Sequence, residues 1–205
     1  MQARMKLLAA ALVLVPTLFV VGSGHAASPL YDYDEALSKI ARETLWQAAD
    51  GGNRIRRGRV LSVGVRCYRD KKTFEEVFQR TFGASARQVI AYYAGGRDIH
   101  LRDSTCSNVH LFFSGLNTVK TAGAYAILLH ESLHRQGLRS ERLTTCFANE
   151  GVRWGTLWYG GTEEKALRAR NLAFTFTRVY APPTYRIGKP DCLALTARFE
   201  WVAYA

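Results

Sequence analysis

The sequence predicts a single α+β domain, with a small β-sheet in the N-terminal half and packed helices in the C-terminal half. Three observations carry this expectation. β-Branched and aromatic runs bounded by glycine fall early in the chain, at residues 60–68 and 88–94, whereas apolar residues at helical spacing dominate after residue 118. A length of 205 residues, 48% of them hydrophobic, suits one core better than two.

Taken in order, residues 1–27 read as an export leader. Arg4 and Lys6 give it a positive start, residues 7–21 are apolar, and Gly24-His25-Ala26-Ala27 makes a small-residue exit. The apolar run is short for a membrane span and contains Pro16, and no cysteine near the exit offers a lipid attachment point. Residues 28–205 are therefore expected to form the mature, secreted domain, with no stable membrane span.

Residues 31–49 place Leu37, Ile40, Ala41, Leu45 and Ala48 at helical spacing and end at Asp50-Gly51-Gly52-Asn53, which predicts a first helix. A strand over 60–68 follows, then a helix over 73–82 stopped by Gly83. Residues 88–94, the Gly95-Gly96 turn and Ile99-His100-Leu101 predict a hairpin. A short helix after Asp103-Ser104 holds Cys106, and a long alanine- and leucine-rich helix spans 118–136, closed by Gly137. Ser140 is placed to cap a helix running from Glu141 to Trp158; another covers 163–179, and Pro182-Pro183 opens an irregular tail.

Four cysteines, Cys67, Cys106, Cys146 and Cys192, stand far apart and form no CxxC pair, which favours two disulfides in an exported chain. Three connectivities are open; Cys67 with Cys106 and Cys146 with Cys192 is the preferred pairing. The formal charge is +11, and the leader accounts for Arg4 and Lys6, leaving +9 on the mature chain. Such a surface suits an anionic partner such as a cell-envelope polymer, although a merely solvated basic surface is the favoured reading. Its cations are scattered apart from the cluster between Arg54 and Arg59, and no nucleic-acid motif accompanies them, so no specific nucleic-acid partner is expected.

Within the long helix stands His130-Glu131-Ser132-Leu133-His134. A spacing of four puts both imidazoles on one helix face, a turn apart, where they can hold one ion together. Glu131 lies outside that ligand plane but within reach of a water on the ion, the position of a general base. Two imidazoles and a carboxylate around Zn2+ leave a fourth position open to water, whose pKa falls to roughly 7. A solvent-facing His and Glu on an amphipathic helix is the bland alternative. The nearly continuous apolar stretch from Ala122 to Leu129 argues against it, because buried His and Glu need partners.

The third ligand must come from elsewhere, and Glu141 and Glu150 are the candidates on the next helix. Nine residues apart, about two and a half turns, they face opposite ways. Glu141 shares its face with Thr144, Thr145 and Ala148, small enough for close helix approach, and is favoured. An acid favoured by the helix dipole would explain Glu141 equally simply. His100 and His110 are weaker candidates. Tyr125, Tyr159, His110 and Arg153 are all conceivable oxyanion donors.

At these residues the chain resembles the zincin metallopeptidases, and His130 to Gly137 fits the longer HExxHxxG form. Ser140 stands where metzincins carry a third histidine. Glu141 to Phe147-Ala148 is closer to the ExxxxxFA pattern of small gluzincins, and the arrangement also looks like uncharacterised bacterial secreted HExxHxxG proteins. The resemblance implies a zincin-like fold and a zinc peptidase with His130, His134 and Glu141 as ligands, Glu131 as catalytic base, and a peptide or protein substrate. Residues 89–93 could then receive an extended peptide by strand addition. A non-catalytic basic binding module on the same scaffold, or a hydrolase of cell-wall peptide or amide, are the alternatives.

Overall fold

The computed structural model describes residues 30–48 and 63–192. The leader, the Arg54–Arg59 cluster and the first three residues of the expected strand at 60–68 lie outside the described residues. In chain order the elements are β1 (Tyr31–Tyr33), α1 (Glu35–Ala48), β2 (Gly64–Tyr68), α2 (Lys71–Phe82), β3 (Ala91–Tyr93) and β4 (Asp98–Leu101). There follow α3 (Asp103–Phe113), α4 (Val119–Arg135), α5 (Glu141–Trp158), α6 (Glu163–Tyr180) and a 3-10 turn at Pro183–Tyr185. The chain is thus α+β, with its strands in the first half and its helical layer completed in the second.

The expected first helix starts later than its periodicity suggests, because Tyr31–Tyr33 is a strand. β1 pairs antiparallel with β2, Tyr31 facing Tyr68 across the ladder. The Tyr31 ring packs 5.7 Å from that of Tyr68 and 4.3 Å beneath the Arg66 guanidinium, so tertiary pairing overrides the helical pattern. Asp34 then ends the strand and starts α1, its Oδ1 accepting from the Leu37 N–H at 2.9 Å.

The sheet order is β1-β2-β4-β3. β2 runs parallel to β4, and the expected hairpin is present as the antiparallel pair β3–β4, with Gly95 and Gly96 at its turn. Strand alternation gives the sheet two faces. Val65, Ile99 and Leu101 are fully buried in the main core with the helices. On the other face Tyr68 and Tyr92 join Phe74 of α2 in a smaller aromatic cluster. β3 is left as a sheet edge.

α4 is the central rod, packed against α3, α5, α6 and the β3–β4 pair. Its neighbours come close because small residues face it. A Cβ on Gly155 would lie 1.8 Å from the Tyr125 hydroxyl, which is fully buried and hydrogen-bonded to Thr44 of α1; only glycine lets α5 pass there. Both preferred disulfides are formed: Cys67–Cys106 ties β2 to α3, and Cys146–Cys192 ties α5 to the tail. Among the described residues no helix is long and apolar enough to cross a membrane.

Candidate metal centre

The centre is built by one helix end, one turn and one helix start. α4 closes in a Schellman motif: the Gly137 N–H donates to the His134 carbonyl at 2.9 Å and the Leu138 N–H to that of Leu133 at 3.2 Å. Gly137 sits at φ 98°, a left-handed conformation that glycine adopts without steric cost. The reversal delivers the Leu138 carbonyl to His134, whose Nδ1–H donates to it at 2.6 Å. Two residues later Ser140 caps α5, accepting the Leu143 N–H, and Glu141 occupies the first position of that helix.

As a result three ligand atoms converge. His130 Nε2 lies 3.0 Å from His134 Nε2 and 3.0 Å from Glu141 Oε2, and His134 Nε2 lies 3.2 Å from the same oxygen. The triangle is close to the edge of a tetrahedron with ligand bonds of about 2.05 Å, roughly 3.3 Å. Each imidazole is steered from its far side, His134 by the Leu138 carbonyl and His130 by the Thr145 hydroxyl, 3.3 Å from its Nδ1. Such partners fix ring orientation in metal sites. His130, His134 and Glu141 therefore form a group that can hold a metal ion.

The electrostatics agree. Burial lowers the His130 pKa, opposed by its contact with Glu141, so the ring stays neutral. The hydrogen bond from His130 leads in lowering the Glu141 pKa, against partial burial of that carboxylate. A neutral imidazole beside an ionised carboxylate is the protonation state that a metal-binding set needs.

Glu131 stands one residue on, at the floor of a cleft of about 880 Å³. Burial first, and the charge of Glu141 second, push its pKa up to about 8, opposed by the nearby Tyr93 backbone of β3. A carboxyl that changes protonation near neutrality is suited to acid–base work. The cleft runs between the 89–91 segment leading into β3 on one side and the α6 face of Phe176 and Tyr180 on the other.

The remaining sequence candidates lie elsewhere. Glu150 pairs with Arg170 at 3.2 Å, both side chains largely buried, so it is a packing ion pair and no ligand. His100 sits on the α2 face of the sheet, accepting from or donating to the Tyr68 hydroxyl at 2.8 Å, and His110 pairs with Asp34 at 2.7 Å. None of the four oxyanion candidates reaches the centre. Tyr125 is sealed against Thr44, Tyr159 donates to Glu43 at 2.7 Å, Arg153 pairs with Glu163 at 2.7 Å, and His110 is held by Asp34. In each case an alternative partner fixes the group away from the cleft.

Tyr185, not singled out from sequence, stands beside the centre instead. Its ring lies 5.5 Å from that of His130. Burial, reinforced by Glu141 and Glu131, pushes its pKa up to about 12, so it remains a proton donor at neutral pH. The tail that carries it is anchored by Ile187 and Cys192, buried together with Cys146 and Phe174. The cysteine in that tail was the available signal: pairing Cys192 with Cys146, the residue after Thr145, brings the Pro-rich segment over the metal group.

No family model, no curated protein and no solved structure matches the chain.

Proposed function

We propose that the chain is a secreted zinc-dependent hydrolase that cleaves peptide bonds, with Glu131 as general base. One observation carries the reading. Three ligand atoms of His130, His134 and Glu141 converge beside the half-buried Glu131 carboxyl, and His130 and Glu131 line a cleft that reaches the edge strand β3. The likeness of the HExxHxxG stretch to zincins, and of Glu141-to-Ala148 to small gluzincins, supports the same reading.

His130, His134 and Glu141 would hold the ion, a two-imidazole, one-carboxylate set that suits zinc. Bound there, zinc supplies Lewis acidity at the substrate carbonyl and lowers the pKa of a bound water to about 7. The chain's own groups do the rest. Glu131 accepts a proton from the attacking water, whose oxygen forms the new bond to the carbonyl carbon. As the C–N bond breaks, Glu131 returns that proton to the leaving nitrogen, so one water is consumed and an acid and an amine are released. The Tyr185 hydroxyl, beside His130, donates to the oxyanion. β3, an edge strand, is where an extended chain would pair by strand addition.

The test is hydrolysis by zinc-loaded protein of casein peptides and, in parallel, of purified bacterial cell wall. Glu131→Gln is expected to keep its zinc and lose activity by a factor of about 10²–10⁴. Activity that survives this substitution removes Glu131 from the mechanism. Cleavage of wall alone would move the substrate to cell-wall peptide or amide, and zinc binding without hydrolysis of either would favour a basic binding module.

A further inference from the structure

Beside His130 the cleft is walled by three helices, and contacts fix each wall. The Thr145 hydroxyl of α5 stands 3.3 Å from His130 Nδ1. Further along α5, a Cβ on Gly151 would lie 2.9 Å from the Leu129 side chain, and one on Gly155 1.8 Å from the Tyr125 hydroxyl. α5 therefore runs antiparallel to α4. Asn149 follows Thr145 by one turn on the same face, about 6 Å further, so this step leads from His130 toward Ala126. α6 is the third wall. Its Phe176 ring covers Gly123, where a Cβ would lie 2.1 Å from it, and the next residue, Thr177, touches Asn149. Tyr185 stands at the His130 end, ring to ring at 5.5 Å. Ala126, Ala148, Asn149 and Thr177 line the cleft between these contacts.

Asn149 is fully buried, and its carboxamide is under-supplied with partners. The group offers two N–H donors and a carbonyl with two lone pairs. Among the described residues its one hydrogen-bond partner is Thr177: Nδ2 donates to the hydroxyl at 3.3 Å, and the hydroxyl can return a bond to Oδ1 at 3.4 Å. That return is contested, because the hydroxyl has a single hydrogen and the Ala173 carbonyl accepts it at 3.2 Å. One amide N–H, and the carbonyl whenever Thr177 turns to Ala173, are left for a group in the cleft. Burying such groups unmet is costly, which makes Asn149 a point of selection. The lining residues from α5 and α6 are all uncharged, and the cation on the cleft face of α4, Lys120, is ten residues or about 15 Å from His130.

We infer that this is a carboxamide pocket: Asn149 selects an Asn or Gln side chain on a residue flanking the bond cleaved beside Glu131. A carboxamide both gives and takes a hydrogen bond, so it answers the two unmet halves of the Asn149 amide at once. An apolar side chain of the same shape would leave that amide buried and unpaired. A carboxylate would be buried with no cation on the pocket walls. Both are therefore rejected, the asymmetry expected of a site built to hydrogen-bond its ligand. The inference rests on the peptidase reading for the identity of the substrate, but it is tested by binding rather than turnover.

The experiment uses zinc-loaded, full-length mature protein carrying Glu131→Gln, so that bound peptides stay intact, and fluorescence anisotropy of labelled Ala-based peptides capped at both ends. They differ at one central residue: Gln against its near-isosteres Met and Glu, and Asn against Leu and Asp. A carboxamide peptide is expected to bind about 10–100-fold more tightly than both of its isosteres, the usual penalty for a buried amide left unpaired. Which of the two does so names the side chain. In Asn149→Leu the preference should pass to Met or Leu. Because Asn149 is a core residue, a second readout leaves it in place: its side-chain amide signal in NMR spectra should shift with the favoured peptide and hold still with that peptide's isosteres. If Asn149→Leu does not fold, the selectivity of the parent and this signal decide. Equal affinities within each set, no binding of any peptide, a carboxamide preference that survives Asn149→Leu, or an amide signal unmoved by the favoured peptide overturns the pocket. Cleavage of the same peptides by protein retaining Glu131 is read separately. Selective binding without cleavage sinks the peptidase and leaves the pocket standing, and cleavage without selectivity does the reverse.

Discussion

Glu141 and Glu150 carry the same chemical group on the same helix, and their surroundings give them opposite roles. Glu141, at the first turn of α5, meets His130 and His134, whereas Glu150 is spent on Arg170. Glu141→Ala should lower zinc affinity by more than about a hundredfold with little loss of stability in the metal-free protein. Glu150→Ala should retain zinc and cost about 3 kcal/mol, the usual penalty for removing one partner of a largely buried pair. Metal content and thermal melts of the two purified variants check both, and zinc loss in Glu150→Ala would reassign the ligand. His100 supplies a pH dependence remote from the metal group. Stacked 4.5 Å from Tyr92, it is driven down to about 4 by burial and then by Arg66. Its folded pKa is below the unfolded value of about 6.5, so the unfolded chain takes up the proton first. The stability it contributes is complete above pH 6.5 and is lost as pH falls toward 4. Melting temperatures of chelated protein between pH 7.5 and 4.5 should fall more steeply than in His100→Gln; parallel curves would contradict the assignment.

At the scale of elements, the helices were legible and the sheet only partly so. α4, α5 and α6 announce themselves through periodicity, a capping serine or threonine and a glycine or proline stop, all of them local signals. β1 was hidden because Tyr31–Tyr33 is three residues long and is stabilised by Tyr68 and Arg66, which lie far along the chain. The parallel β2–β4 pairing is non-local for the same reason. The turn between α4 and α5 shows how local signals reach function. Gly137 sets the reversal, the reversal sets the Leu138 carbonyl, and that carbonyl orients His134. Gly137→Ala should cost about 1–2 kcal/mol for a left-handed alanine and weaken zinc binding by about 10–100-fold through the misplaced carbonyl. Zinc titration against a competing chelator reads this, and unchanged affinity would show that the turn does not position the ligand.

For the whole molecule, the residues of the candidate centre were readable because motif spacing alone places His130, Glu131 and His134, and the small-residue face shared with Thr144, Thr145 and Ala148 favours Glu141. Tyr185 was not, because nothing local connects a tail residue to a site built some fifty residues earlier; the Cys146–Cys192 bridge makes that connection. Replacing both cysteines with serine opens a loop of sequence separation 46 and should cost about 2–4 kcal/mol. Zinc should remain, since the ligands lie on α4 and α5, while hydrolysis should fall as Tyr185 loses its position; undiminished turnover would remove Tyr185 from the mechanism. The central claim, that α4 and α5 hold zinc through three named atoms, is tested most directly by anomalous scattering at the zinc edge from crystals of the mature protein. The account predicts one peak about 2.0–2.2 Å from His130 Nε2, His134 Nε2 and Glu141 Oε2. A zinc-soaked crystal with no peak there, or a peak held by other side chains, would contradict it.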